Sequence, residues 1–189
     1  WALPQILKLC ELDTFSTTKI SWNQFNSMPH DLFKWKGIDG TEILTYFVDI
    51  PEVDTDFKDR YSTYNGFITP RTLIGGWTKF KDKNLSKDIL LSYGFGDGGG
   101  GVNRDMLEMG RVLDKLPGVP HVKHAKAGDF FEKMHRKIAE TDQYVHTWDG
   151  ELYLEYHRGT YTSQGYNKMM NRRLEFALAE CEWLSEMAK

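Results

Sequence analysis

The sequence predicts an α/β fold with parallel strands. Apolar runs of strand length alternate with segments of helical spacing through the second half of the 189-residue chain. Residues 88–93, DILLSY, form a continuous apolar run after a charged stretch, the pattern of a strand buried on both faces of a parallel sheet. At the far end, Tyr166, Met170, Leu174, Ala177, Cys181 and Leu184 recur at intervals of four and three, an amphipathic helix over about residues 163–187.

The elements follow in order. Leu3, Ile6, Leu7 and Cys10 make an apolar stripe over residues 2–12, and Pro4 suits the first turn of a helix there. Residues 15–20, FSTTKI, have strand character, and residues 21–30 read as a loop. Two strands at 32–36 and 42–48 flank Gly37-Ile38-Asp39-Gly40, where Asp-Gly favours a tight turn. Residues 49–64 read as an exposed acidic loop. A helix is expected over 69–81, with Pro70 in its first turn and Leu73, Ile74, Trp77 and Phe80 on one side, although Gly75-Gly76 weakens it. After DILLSY comes the glycine run 94–101, then a helix over 103–116 that Asn103 caps. A short strand at 121–124, a helix near 129–140 and a strand-bearing stretch at 146–157 complete the series.

Composition narrows the function. The apolar fraction is 40% and the aromatic fraction 14%, enough for a real core. The net charge is −3 with no basic block, so nucleic acid is not an expected partner. No run approaches the ~18 apolar residues of a membrane span. Cys10 and Cys181 sit in apolar helical patterns without metal spacing, and read as buried thiols of a reducing compartment. The chain opens on Trp1 inside a helical pattern, as an excised piece of a longer protein would.

Three constellations stand out. The run YGFGDGGGG fits neither G-x-G-x-x-G nor a Gly-Lys-Ser/Thr loop, and Asp97 within it would repel phosphate. A plain turn, or Asp97 presented as a carboxylate at a strand end, are the readings left open. Residues 151–164, ELYLEYHRGTYTSQ, alternate: Leu152, Leu154 and Tyr156 face one way, and Tyr153, Glu155 and His157 the other. That make-up suits a pocket wall, but a lone His is commonly a hydrogen-bonding residue, and Arg158 suits a salt bridge as well as a sugar hydroxyl. Trp22, Trp35 and Trp148, with Tyr153 and Tyr161, lie near loops and strand ends, where core packing and stacking on sugar rings are both open.

The chain resembles the α-mannosidases of glycoside hydrolase family 38. The matching segments are WALPQIL, FSTTKISWNQFNSMPHDLFKWKGIDGTEIL, YGFGDGGGG, LPGVP with FFEKM, and GELYLEYHRGTYTSQ running into KMMNRRLE, all in family order. The resemblance implies a retaining, exo-acting enzyme that removes terminal α-mannose from oligosaccharides. It implies one zinc ion and a seven-stranded α/β barrel-like catalytic domain. Residues 1–162 would form the C-terminal part of that domain, and 163–189 the first helix of a following helical bundle. It also implies a cytoplasmic protein, homo-oligomeric as a whole.

Residue by residue, the resemblance makes Asp97 the acid/base carboxylate and His157 a zinc ligand. Lys19 matches a cation near the nucleophile. Trp35 and Asp39 fall in a substrate-contacting segment, and Trp22, Arg158 and Tyr161 at the pocket rim. The nucleophile motif and the other zinc ligands have no counterpart in the sequence. Retention needs two carboxyl groups about 5–5.5 Å apart, so the chain alone is expected to be inactive. The acid's pKa is expected to be raised by burial or by the neighbouring nucleophile. A non-catalytic carbohydrate-binding or assembly module is the alternative.

Overall fold

A computed structural model describes residues 1–52, 62–158 and 163–189. They divide into two units, residues 1–154 and 155–189.

The first unit is built on a four-stranded mixed sheet, β1 (Thr14–Thr17), β2 (Leu32–Lys36), β3 (Glu42–Phe47) and β4 (Thr147–Asp149), in the order β1-β3-β2-β4. β1 runs parallel to β3, β2 antiparallel to β3, and β4 parallel to β2. The α/β class holds; the sheet is mixed rather than parallel. The β2–β3 hairpin closes as its turn residues dictate. Gly40 has φ +88°, and the Asp39 carboxylate accepts from the Thr41 amide and hydroxyl at 3.0 and 2.6 Å.

Both sheet faces are covered. Leu32, Leu44 and Tyr46 pack on one face with Phe80, Leu85 and Met134. Those partners come from the connection after α2 (Pro70–Lys79) and from α4 (Ala127–Glu140). Phe33, Trp35, Ile43 and Phe47 point the other way, onto Ile20, Phe15, Leu7, Trp148, Leu152 and Leu154. Strand alternation therefore sorts consecutive apolar residues into two cores. A third cluster joins Ile68, Leu73 and Leu113, the last on α3 (Arg104–Leu113). α1 (Leu3–Leu9) has Pro4 in its first turn. α2 is capped reciprocally by Thr69 and Thr72, and α3 by Asn103 Oδ1 accepting from the Met106 amide at 2.9 Å.

Four sequence expectations are corrected. Residues 88–93 join no strand ladder; Tyr93 alone bridges Gly66, and the Leu90 amide donates to Tyr46 Oη at 3.1 Å. Residues 121–124 form no strand, because Asp114 captures the Val122 amide at 3.0 Å and lies 3.2 Å from His121 Nδ1. The strand of the 146–157 stretch ends at Asp149, and His157 has φ +60°, a left-handed conformation that no strand contains. Residues 49–64 are not wholly exposed: Ile50 and Ser62 are buried, and Pro51 bridges Ser62.

The second unit holds α5 (Gly165–Met187), which buries none of its residues, so its amphipathic stripe is exposed. Both cysteines are free and exposed, correcting the expectation of buried thiols. No helix among the described residues is long and apolar enough to cross a membrane.

One histidine pair gives the fold a pH dependence. His30 and His146 stack with centroids 4.5 Å apart, and His30 Nδ1 lies 2.8 Å from Asp82 Oδ1. Tyr144 Oη reaches His146 Nδ1 at 3.1 Å. Burial pushes the His146 pKa down, the neighbouring His30 adds to this, and Asp82 opposes it. A base with a depressed folded pKa binds its proton less readily than in the unfolded chain. Stability is therefore lost as pH falls below the unfolded value of about 6.5, until the folded pKa is passed. Urea denaturation at about pH 8 and about pH 5 should show a smaller acid loss for His146→Gln than for the parent; equal losses would remove the role.

Candidate functional site

The glycine run is a small closed loop. Phe95 and Gly101 exchange both backbone hydrogen bonds, at 2.7 and 2.8 Å, and Gly94, Gly99 and Gly101 take positive φ. That neck presents Asp97 at the tip. Tyr64 Oη donates to Asp97 Oδ1 at 2.5 Å, and Asn65 Nδ2 donates to Oδ2 at 3.0 Å. Asn65 Oδ1 accepts from the Gly96 amide at 2.9 Å, so one asparagine grips both the loop backbone and its carboxylate.

Lys19 completes the cluster. It opens a 3₁₀ turn, Lys19–Trp22, that leaves β1. Its ammonium lies 3.9 Å from the centre of the Trp22 ring and 5.0 Å from that of Tyr64, a cation between two aromatic faces. Trp22 Nε1 donates to the Ser62 carbonyl at 2.9 Å, which fixes its indole.

The electrostatics run against the expected direction for Asp97. The Tyr64 hydroxyl, the Asn65 amide and the Lys19 charge hold its carboxyl below the usual range, while the Tyr64 phenol is pushed up by Asp97. Asp97 is exposed, and the desolvation that works to raise it is outweighed by these partners.

Gly66 fixes the geometry from behind. Its amide donates to Ser92 O at 3.2 Å, and its carbonyl accepts from the Gly94 amide at 3.0 Å. A Cβ at Gly66 would lie 2.6 Å from the Ser92 carbonyl oxygen, a backbone atom with little room to yield. Gly66→Ala is expected to destabilise the chain by about 1–3 kcal/mol, and to part Tyr64 and Asn65 from Asp97. A thermal melt within experimental error of the parent would contradict this.

The other sequence-predicted residues are placed elsewhere. Trp35 is buried in the sheet core, 5.2 Å from Phe15, with Nε1 donating to Gly150 O at 2.8 Å. Asp39 closes the β2–β3 turn, where the Thr41 hydroxyl and then its amide hold the carboxyl low. Trp148 and Tyr153 line a cleft of about 330 Å³ with Asn23, Phe25 and Met28. His157 and Arg158 belong to the second unit, and Tyr161 lies outside the described residues. Among the described residues, no three of His, Cys, Asp and Glu come together to hold a metal ion, so zinc does not fit a site made from these residues alone.

Tyr64 escapes sequence reading because it ends what reads as an exposed acidic loop, and Asn65 because it lies between that loop and the helix expected from residue 69. The one local signal is Asn-Gly at 65–66, a pair that marks a turn.

Comparison with known proteins adds an independent line. The model of the glycosyl hydrolases family 38 N-terminal domain matches residues 1–151, and that of the alpha mannosidase middle domain matches residues 155–189. Alpha-mannosidase G of Dictyostelium discoideum is 36% identical over 183 residues, 97% of this chain. Alpha-mannosidase 2C1 of Mus musculus is 36% identical over 186 residues, 98% of the chain, and an alpha-mannosidase of Saccharomyces cerevisiae is 35% identical over 190 residues, 97% of the chain. The chain spans 16% of the length of each of these relatives.

Proposed function

The chain belongs to glycosyl hydrolase family 38, and from that premise we propose that it forms part of the sugar-cleaving site of a retaining, exo-acting α-mannosidase. The observation that carries this reading is Asp97: one carboxylate on a narrow-necked glycine loop, held by Tyr64 and Asn65 beside the Lys19 ammonium. Loop residues 98–101 are all glycine, so a polyhydroxylated ring can approach Asp97 without meeting a side chain there.

In this proposal Asp97 acts twice. Protonated, it gives its proton to the glycosidic oxygen as the bond to the anomeric carbon breaks and a second carboxylate attacks that carbon. Charged, it takes a proton from water, whose oxygen adds to the same carbon and releases the second carboxylate. The low pKa of Asp97 suits the second step. The first requires the bound sugar and the attacking carboxylate to raise it. Lys19 sets the charge beside the reacting centre, and Trp22 holds Lys19.

The attacking carboxylate and most metal ligands come, in this reading, from residues beyond these 189, set in the seven-stranded barrel-like domain. His157 supplies one imidazole to zinc, and its left-handed backbone is the strained geometry often found at functional sites. With one donor assigned among the described residues, no step is assigned to the metal.

Assay of the complete protein on a nitrophenyl α-mannoside tests the reading, with NMR of the first-formed sugar and zinc analysis of the same sample. We expect α-mannose first, about one zinc per chain, loss of that zinc in His157→Ala, and no turnover by the 189 residues alone. Absence of hydrolysis by the complete protein would refute the mannosidase reading. β-mannose appearing first would refute retention.

A further inference from the structure

The two oxygens of Asp97 have partners of unlike chemistry. Asn65 Nδ2 can only donate, so Oδ2 is held as the acceptor of that bond. Tyr64 Oη can donate or accept by turning its hydrogen, so its bond to Oδ1 can persist when the carboxyl gains or loses a proton.

Tyr64 reaches Asp97 from a braced position. Its carbonyl accepts from Ser92 Oγ at 3.0 Å. The next two residues are tied down as well: Asn65 by its amide on Thr63 Oγ1 at 3.0 Å, and Gly66 by the Ser92 and Gly94 backbone. The loop is fitted to this brace, since a Cβ at Gly96 would overlap Asn65 Oδ1. The Lys19 ammonium faces the Tyr64 ring and favours negative charge on Asp97.

We propose that Tyr64 is a positioning residue for Asp97: its hydroxyl fixes the rotation of the carboxyl group and favours the charged form between the two proton transfers. The inference rests on the acid/base reading of Asp97 given above. It assigns a role to a residue 33 positions away in sequence that the acid/base reading does not itself require. Tyr64 exchanges no proton with the sugar. It shifts the balance at Asp97, where an O–H donor aimed at a carboxylate stabilises the anion.

The test is the pH dependence of kcat/KM in the complete protein. The alkaline limb reports loss of the proton from the acid. Tyr64→Phe removes the donor and keeps the ring beside Lys19, so that limb should move to higher pH while the maximum falls several-fold. Replacing Tyr64 with 3-fluorotyrosine makes the hydroxyl a stronger donor without removing it, so the limb should move to lower pH. Opposite displacements are not expected of a merely structural tyrosine. An unmoved limb in both variants overturns the inference, as does movement in the same direction in both. If Tyr64→Phe fails to fold, the fluorinated protein decides alone. Asp97→Asn separates the two claims: an inactive Asp97→Asn with unmoved limbs overturns the role of Tyr64 only, whereas an active Asp97→Asn overturns the reading on which it rests.

Discussion

Asp97→Asn in the complete protein is expected to lower kcat/KM on an unactivated α-mannoside by about a hundred- to ten-thousand-fold, the contribution of a positioned general acid and base. The substitution preserves shape, and its carbonyl oxygen can still accept from Tyr64 Oη. Its amide nitrogen, however, meets Asn65 Nδ2, a second donor, so one hydrogen bond is lost. A dinitrophenyl leaving group departs with little protonation, so for that substrate the loss should fall mainly on the second step, where water must be deprotonated. Added azide needs no base and should restore turnover of the activated substrate, giving a mannosyl azide. A loss below about tenfold on both substrates would remove Asp97 from the chemistry.

The second large effect concerns stability. Asp82 is buried, and its carboxylate accepts from the backbone amides of Asp31 and Leu32 at 2.6 and 2.8 Å, with His30 Nδ1 at 2.8 Å. Asp31 reciprocates through Lys81, taking its amide at 2.8 Å and its ammonium at 2.5 Å. Burial raises the Asp31 pKa and Lys81 works against that rise. The two aspartates thereby lock the start of β2 to the end of α2. Asp82→Ala leaves two buried amides without an acceptor, at about 1–3 kcal/mol each. A total loss of about 3–5 kcal/mol is expected in urea denaturation, and a smaller one for Asp82→Asn, which keeps an acceptor. A change under about 1 kcal/mol for the alanine variant would show that the lock is not needed.

How much of this was legible depends on the range of each interaction. The helices at 70–79, 104–113 and 127–140 are signalled by local features: Pro70 after Thr69, Asn103 before a periodic run, and apolar spacing through Phe131, Met134 and Ile138. The β2–β3 hairpin is written in Asp39-Gly40. By contrast, DILLSY has strand composition, but a strand also needs a partner, and composition does not supply one. In ELYLEYHR the alternation is present, yet the strand stops at Asp149, and Leu152 and Leu154 pack in one cluster with Trp35 and Trp148.

The candidate site divides in the same way. Asp97 is legible as a carboxylate amid glycines after an apolar run, Trp22 as an aromatic near a loop, and Lys19 only through the resemblance to family 38. Tyr64 and Asn65 meet Asp97 across more than thirty residues, and no periodicity records such a bond. The direction of the Asp97 pKa was missed for the same reason, since it depends on those two partners first.

The strand order has a consequence for synthesis. β2 and β3 are adjacent in sequence and can pair soon after they emerge, but β4 follows β3 by about a hundred residues. At about 5–20 residues per second, the hairpin waits on the order of five to twenty seconds for the segment bearing Trp148, Leu152 and Leu154. During that interval Phe33, Trp35, Ile43 and Phe47 lack part of their cover. The nascent chain is therefore most open to aggregation, and to chaperone capture, between translation of Phe47 and Leu154. Slowing translation across that interval should lower the soluble yield more than slowing it after residue 154.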